Sequence, residues 1–223
     1  MTLFEYPSKA LFGRVLPKSK IYEYAGSTTK MKELFVRQVD QVVWKYKLAP
    51  ETINIPATKA VSEIQVFNVV LKTRELKEDV LRSIDKAIPF PIIYELSYAK
   101  KIRIIGAYKR QSESDSEKWV VGSYFASEWM PESKTRQALP ITLDLGALYE
   151  ELLRTLIHYS ARPKESLHDQ LERVENIRSR EAELAKAVTA LNREKQFNRK
   201  VEINANIRTI KQDIEKLIGG EGK

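Results

Sequence analysis

Two glutamates and a glutamine stand where a divalent metal ion could be gripped. Glu51 follows Pro50, and Glu63-Ile64-Gln65 follows a short polar segment. Metal-dependent nucleases often set one acid near a strand start, with a second acid and a Lys or Gln two residues apart on the next strand. The pair then binds Mg²⁺ and positions a water. Glu63 and Gln65 have that spacing and open an apolar run, Ile64–Leu71. Glu51 leads into a segment whose only other polar candidate is Asn54, and no lysine takes the second position. The alternative is an ordinary surface Glu and Gln at a strand entrance, with no metal bound. Other chemistry is thinly represented. The two histidines are His158 and His168, and there is no cysteine, so thiolate ligands, thiol nucleophiles and disulfides are excluded. His158-Tyr159-Ser160 lacks a nucleophile elbow, and neighbours on a helix point in different directions, so a solvent-facing helix-end histidine is expected. The eight glycines are scattered, with neither G-x-G-x-x-G nor a P-loop. Nucleotide hydrolysis and a bound cofactor are therefore not expected, and the residues favour binding or scaffolding over catalysis.

Charge supplies the second signal. The net charge is +8, from 38 Lys and Arg against 30 Asp and Glu. Residues 1–50 hold nine basic and four acidic side chains, so the excess lies mostly at the N-terminal end. Such an excess attracts polyanions, although a well-solvated surface would look the same. Lys18, Lys20, Lys30 and Arg37 belong to this set. Trp44 joins them, because Met31, Leu34, Phe35, Val39, Val42 and Tyr46 recur at helical spacing and put Trp44 nearly opposite, beside Lys30 and Arg37. An indole on a polar helix face with basic neighbours suits nucleic-acid stacking and phosphates. The competing expectation is that the N-terminal arm or a sheet packs over it.

The elements that must position these residues follow from pattern. Residues 1–26 carry Pro7, Gly13, Pro17 and Gly26 and read as an irregular arm with room for one short strand. Ser27-Thr28-Thr29 offers an N-cap for the first helix, which Leu48-Ala49-Pro50 ends. Thr52–Ile55 alternates like a short strand, and Ile64–Leu71 reads as a buried one. Leu76, Val80, Leu81, Ile84 and Ala87 predict a helix stopped by Pro89-Phe90-Pro91. Ile92–Tyr98 and Ile102–Tyr108, joined by Ala99-Lys100-Lys101, predict a hairpin. Arg110–Glu117 is a polar loop, Trp119–Ala126 a further strand, and Leu145–Leu156 a further helix. This order predicts an α+β domain over residues 1–163, with a mixed sheet covered by helices.

After Pro163 the composition changes. Residues 164–218 contain no Gly or Pro, and Gly219-Gly220 supplies a stop. Leu184, Val188 and Leu191 approximate one heptad seam, and Ile203, Ile207, Ile210, Ile214 and Leu217 make a cleaner one. Residues 164–223 therefore predict either one continuous coiled-coil helix of roughly 80 Å or a helical hairpin folded back in the polar stretch Asn192–Lys200. The lack of a breaker favours the continuous helix. Such a stripe needs a partner: a second copy, the chain's own globular domain, or another protein. No run approaches the roughly 18–20 apolar residues of a membrane span, and the N-terminus lacks signal-peptide features. A cytoplasmic protein away from membranes is expected.

Several segments carry a family resemblance. They are Phe12-Gly13-Arg14-Val15-Leu16-Pro17-Lys18-Ser19-Lys20-Ile21-Tyr22, the run from Trp44 to Ile55, Glu63-Ile64-Gln65-Val66-Phe67, Ile84-Asp85-Lys86-Ala87-Ile88-Pro89, and the run from Glu194 to Asn204. Together they resemble the prokaryotic family catalogued as domain of unknown function 4391, over nearly the whole chain. The resemblance implies a place beside DNA methyltransferases and helicase-like ATPases in restriction and phage-defence clusters. It identifies no catalytic residue. The expected function is a non-catalytic accessory subunit, docking such partners through the C-terminal seam and contacting nucleic acid or another subunit through the basic N-terminal third. A metal-dependent nuclease, active or degenerate, and a homodimeric structural adaptor are the alternatives.

Overall fold

Strands rich in Val and Ile alternate with capped amphipathic helices, and that alternation sets the architecture. A computed structural model describes residues 2–112, 114–115 and 118–219. Positions 113, 116 and 117 of the polar loop, and Gly220 of the Gly-Gly stop, lie outside the described residues. The chain divides into two units, residues 1–157 and 158–223. The first runs β1 (Leu3–Glu5), a 3-10 turn, β2 (Leu11–Val15), α1 (Lys18–Ala25), α2 (Thr29–Gln38), β3 (Val39–Leu48), α3 (Pro50–Ile53), β4 (Ile64–Leu71), α4 (Glu78–Ala87), β5 (Ile92–Tyr98), β6 (Lys101–Gln111), β7 (Trp119–Ala126), β8 (Met130–Pro131), β9 (Arg136–Ala138) and α5 (Leu145–Arg154). The second holds α6 (Leu167–Arg193) and α7 (Phe197–Gly219).

The main sheet has the order β2-β3-β4-β5-β6-β7, with β8 also pairing β6, and β1 and β9 form a separate parallel pair. The β4–β5 pair is parallel, which requires the crossover that α4 provides. β5 and β6 pair antiparallel across a turn in which Ala99 and Lys100 both take positive φ, a twist that suits tight hairpins. On one face Ile21 of α1, Phe35 of α2 and Val80, Leu81 and Ile84 of α4 pack on Phe67, Val69, Tyr94, Leu96 and Ile105. The first turn of α4 carries Glu78 and Asp79 and its last turn Lys86, matching the helix dipole. The opposite face takes α5, which Asp144 caps by accepting from the Ala147 amide at 2.8 Å. Gly106 permits the approach, since a Cβ there would lie 2.8 Å from Leu153 Cδ2. This is the α+β mixed sheet covered by helices, with a long C-terminal helical region.

Four local expectations need correction. The first helix ends at Gln38, and residues 39–48 turn into strand β3, so Trp44 sits in the sheet and not on a helix face. The spacing of Val39, Val42 and Tyr46 fits a helix, but Val42-Val43-Trp44 is strand-favouring, and β3 pairs with β4 along its length with irregularities at Asp40 and Lys45. Thr52–Ile55 is not a strand: Pro50 starts a helical turn that ends where Asn54 adopts the left-handed conformation. The N-terminal arm contains a helix, α1, and two short strands. Finally, the C-terminal helix is not continuous. It breaks at Glu194, whose backbone is extended and whose carboxylate accepts from the amides of Lys195 (2.7 Å) and Gln196 (2.8 Å). No Gly or Pro is needed, because the side chain itself caps the turn.

In the second unit, Ser166 caps α6 by accepting from the Asp169 amide. Arg162, before α6, donates to the Leu217 carbonyl near the end of α7 at 2.7 Å, and Arg180 pairs with Asp213 at 3.7 Å. The two helices are therefore antiparallel and form a hairpin. Arg173 grips Glu165 through Nε (2.7 Å) and Nη2 (2.8 Å) and also holds the Ser160 carbonyl at 2.9 Å, pinning the entry segment to α6.

Candidate functional site

The three residues proposed as a metal grip do come together, around a fourth that the motif did not predict. Lys47, near the end of β3, lies opposite Gln65 in the β3–β4 register. Its ammonium is 2.7 Å from Glu51 and 3.4 Å from Glu63, and the Gln65 amide donates to Glu63. The local chain explains the meeting. Pro50 presets the first turn of α3, and the Thr52 hydroxyl accepts from the Ala49 amide at 2.9 Å and donates to the Lys47 carbonyl at 2.7 Å. This folds Glu51 back over Lys47. The hydrogen bond from Lys47 holds the Glu51 carboxyl below its ordinary range, and the same bond raises Lys47.

Two carboxylates and an amide oxygen are ligand types that metal-assisted phosphodiester cleavage uses, and the lysine arrives from the neighbouring strand. As the side chains stand, the ammonium occupies the place between the acids, so the cluster is a self-neutralised clamp. Among the described residues, no three His, Cys, Asp or Glu side chains gather as metal ligands. His158 and His168 are both exposed, in the second unit.

The basic N-terminal residues divide. Lys18 is turned inward and donates to the Val39 carbonyl at 2.6 Å, and desolvation lowers its pKa. Lys20 pairs with Glu23 at 2.9 Å. Lys30 and Arg37 stand exposed on α2 beside a cleft of about 350 Å³ that also takes in Met31, Leu34 and Asp79. Trp44 does not join them: its ring packs against a tilted Phe12, 4.0 Å away between centroids, and stacks on Phe67 at 6.1 Å, and its Nε1 donates to the Tyr46 carbonyl at 3.0 Å.

The C-terminal seam is shared between the hairpin and solvent. Ile207 and Ile210 are buried; Leu184, Leu191, Ile203, Ile214 and Leu217 are half-buried, and Val188 is exposed.

Two buried charge clusters escaped the sequence reading. Glu95, fully buried in β5, is held by Lys45 at 2.9 Å and Arg136 at 2.7 Å. Burial, and then the Glu95 carboxylate, push the nearby Tyr6 phenol far up. Asp85 of α4 accepts from Tyr94 at 2.9 Å and from Tyr124, and pairs with the buried Lys109 at 3.2 Å. Burial pushes the Lys109 pKa down, opposed by the Asp85 charge. The available signal was a lone acid inside an apolar run: Glu95 interrupts Ile92–Leu96.

Among the described residues, no helix is long and apolar enough to cross a membrane. No curated protein and no solved structure matches the chain. Residues 4–214, however, match a known family along nearly the full length, and the chain belongs to the family described as Domain of unknown function (DUF4391).

Proposed function

We propose that this chain is a non-catalytic accessory subunit of a DNA restriction or phage-defence assembly, docking a protein partner through its C-terminal hairpin. The half-open seam carries the reading. Two helices packed side by side cover only the inner part of their apolar stripes, and Leu184, Val188, Leu191, Ile203, Ile214 and Leu217 keep exposed surface. A partner helix laid along that seam would complete a three-helix arrangement and bury it. The family resemblance points to a helicase-like ATPase or a DNA methyltransferase as that partner, in the cytoplasm. Lys30 and Arg37 on α2 are the members of the basic N-terminal third best placed to meet DNA phosphates. In the test, the chain is co-expressed with a DNA methyltransferase and a helicase-like ATPase of the kind the resemblance implies. Co-elution at fixed stoichiometry is expected, and Leu184→Asp with Val188→Asp should abolish it without loss of helical circular dichroism. Failure of the wild type to co-elute, or unchanged co-elution of the double variant, defeats the proposal. A dimer of the chain alone that the same double variant splits favours the homodimeric adaptor instead.

A second reading has its own observation. The convergence of Glu51, Glu63, Gln65 and Lys47 supports a metal-dependent nuclease in which Lys47 positions the attacking water. Mg²⁺-dependent cleavage of DNA that disappears in both Glu63→Ala and Lys47→Met would establish it. No cleavage by the wild type, alone or with the partners, removes it.

A further inference from the structure

The turn between α6 and α7 combines basic side chains with exposed apolar ones. Residues 185–201 hold Lys186, Arg193, Lys195, Arg199 and Lys200 against one acid, Glu194. That acid is folded back onto the amides of Lys195 and Gln196, with Arg199 at 4.0 Å. All five basic residues are exposed. Among them stands Phe197, 78% exposed, with Val201 and Val188 also open to solvent. Asn192, Gln196 and Asn198 lie close to Phe197 in sequence and are exposed. Nothing in the hairpin's own packing uses the ring: the buried side chains of α7 are Ile207 and Ile210, well along the helix from Phe197.

We infer that this hairpin tip binds single-stranded nucleic acid, with an unpaired base stacked on Phe197 and neighbouring phosphates on Arg193, Lys195, Arg199 and Lys200. Three features select this partner. An exposed aromatic face offers a sequence-tolerant platform for a base. A net excess of four positive charges over residues 185–201 complements a polyanion. Exposed side-chain amides near Phe197 in sequence supply donors and acceptors that match base edges, whereas a lipid surface has no use for them. The amino end of α7, whose first amides no helical carbonyl accepts, adds positive potential on the same side. The tip shares Val188 and Leu191 with the docking seam, and a binding assay without any partner separates the two readings.

Fluorescence anisotropy of the full chain with an oligo-dT strand, the matching duplex, and mixed phosphatidylcholine–phosphatidylserine vesicles tests it without any partner. The strand should bind more tightly than the duplex or the vesicles. Phe197→Ala should weaken strand binding roughly five- to a hundredfold with little change in salt dependence, as expected for loss of one stacked base. Phe197→Trp should retain or improve it, which separates stacking from any local effect on helix start. Lys195→Ala with Arg199→Ala and Lys200→Ala should lower the slope of log affinity against log salt by about 2, at ~0.7 per single-strand phosphate contact. The inference fails if the strand does not bind at low salt, if Phe197→Ala binds like the wild type, or if anionic vesicles are preferred.

Discussion

The Phe12 ring lies 4.0 Å from that of Trp44, centroid to centroid, and Phe67 closes the other side at 6.1 Å. The bulged end of β2 thus delivers an aromatic lid to β3, and the indole works as packing between edge strand and core. Trp44→Ala should therefore act on stability and not on nucleic acid. A loss of about 3 kcal/mol is expected, at the low end for a large aromatic because the ring is only half-buried. Urea unfolding measures it, and oligonucleotide affinity at a temperature where both proteins are folded should be unchanged. Weakened binding with an unaltered unfolding midpoint contradicts the stacked arrangement.

How far these features could be read from the chain depends on whether one force acted alone. β4, β5 and β7 run over the residues that alternation and flanking Pro or polar segments marked. In β4 and β5 burial on both faces leaves no competing period, whereas β7 is largely half-buried or exposed and is bounded by the polar loop before it. Residues 39–46 fit two periods, and the choice was made by pairing with β4, a non-local contact that no window of sequence contains. The break at Glu194 was invisible for a different reason. Its cap is a carboxylate accepting from the next two amides, and a Glu in a charged helix looks like any other. At the candidate site, Glu51, Glu63 and Gln65 were found from their spacing. Lys47 was missed because its membership depends on strand register, and a lysine read as part of a helix cannot face a glutamine on β4.

The Lys47–Glu51 bond can be tested by titration. The folded Glu51 carboxyl should titrate below the ordinary range, about 4.3 for glutamate, because the ammonium favours its charged form. Lys47→Met should return it to that range. Carbon-detected NMR of the Glu51 side chain reads both values. An unchanged Glu51 midpoint in the variant means that the pair seen at 2.7 Å is not formed in solution.

Acid should loosen the hairpin's entry segment through Glu165. Two hydrogen bonds from Arg173 hold this carboxyl at about 2, well below its unfolded value. The sign follows: the stabilisation is complete above the unfolded range near 4.3 and is lost as pH falls toward 2. Thermal melts followed at 222 nm should show the second unit weakening across that window. In Glu165→Gln the same window should be flatter. At neutral pH that variant should be less stable by about 3 kcal/mol or more, since Arg173 stays buried without its carboxylate. A variant with wild-type acid sensitivity would place the titrating group elsewhere.

Glu95 should govern the small β1–β9 sheet at a distance. Its two oxygens are divided between Lys45 of β3 and Arg136 of β9, and Arg136 Nη1 also donates to the Phe4 carbonyl of β1 at 2.7 Å. One carboxylate in the middle of the main sheet thus orients the guanidinium that ties the two short strands together. β1 and β9 share only three residue pairs, Leu3 with Arg136 through Glu5 with Ala138, too few to persist without such support. Glu95→Gln leaves two buried or half-buried cations without their counter-charge and should cost about 3–5 kcal/mol. The loss should be uneven. Amides of β1 and β9 should exchange with solvent much faster than in the wild type, while those of β4 and β5 slow or speed only with global stability. Hydrogen exchange followed by mass spectrometry resolves the two sheets. Uniform acceleration across both would mean that Glu95 contributes only general stability; protection lost first at residues 3–5 and 136–138 identifies it as the anchor of that layer.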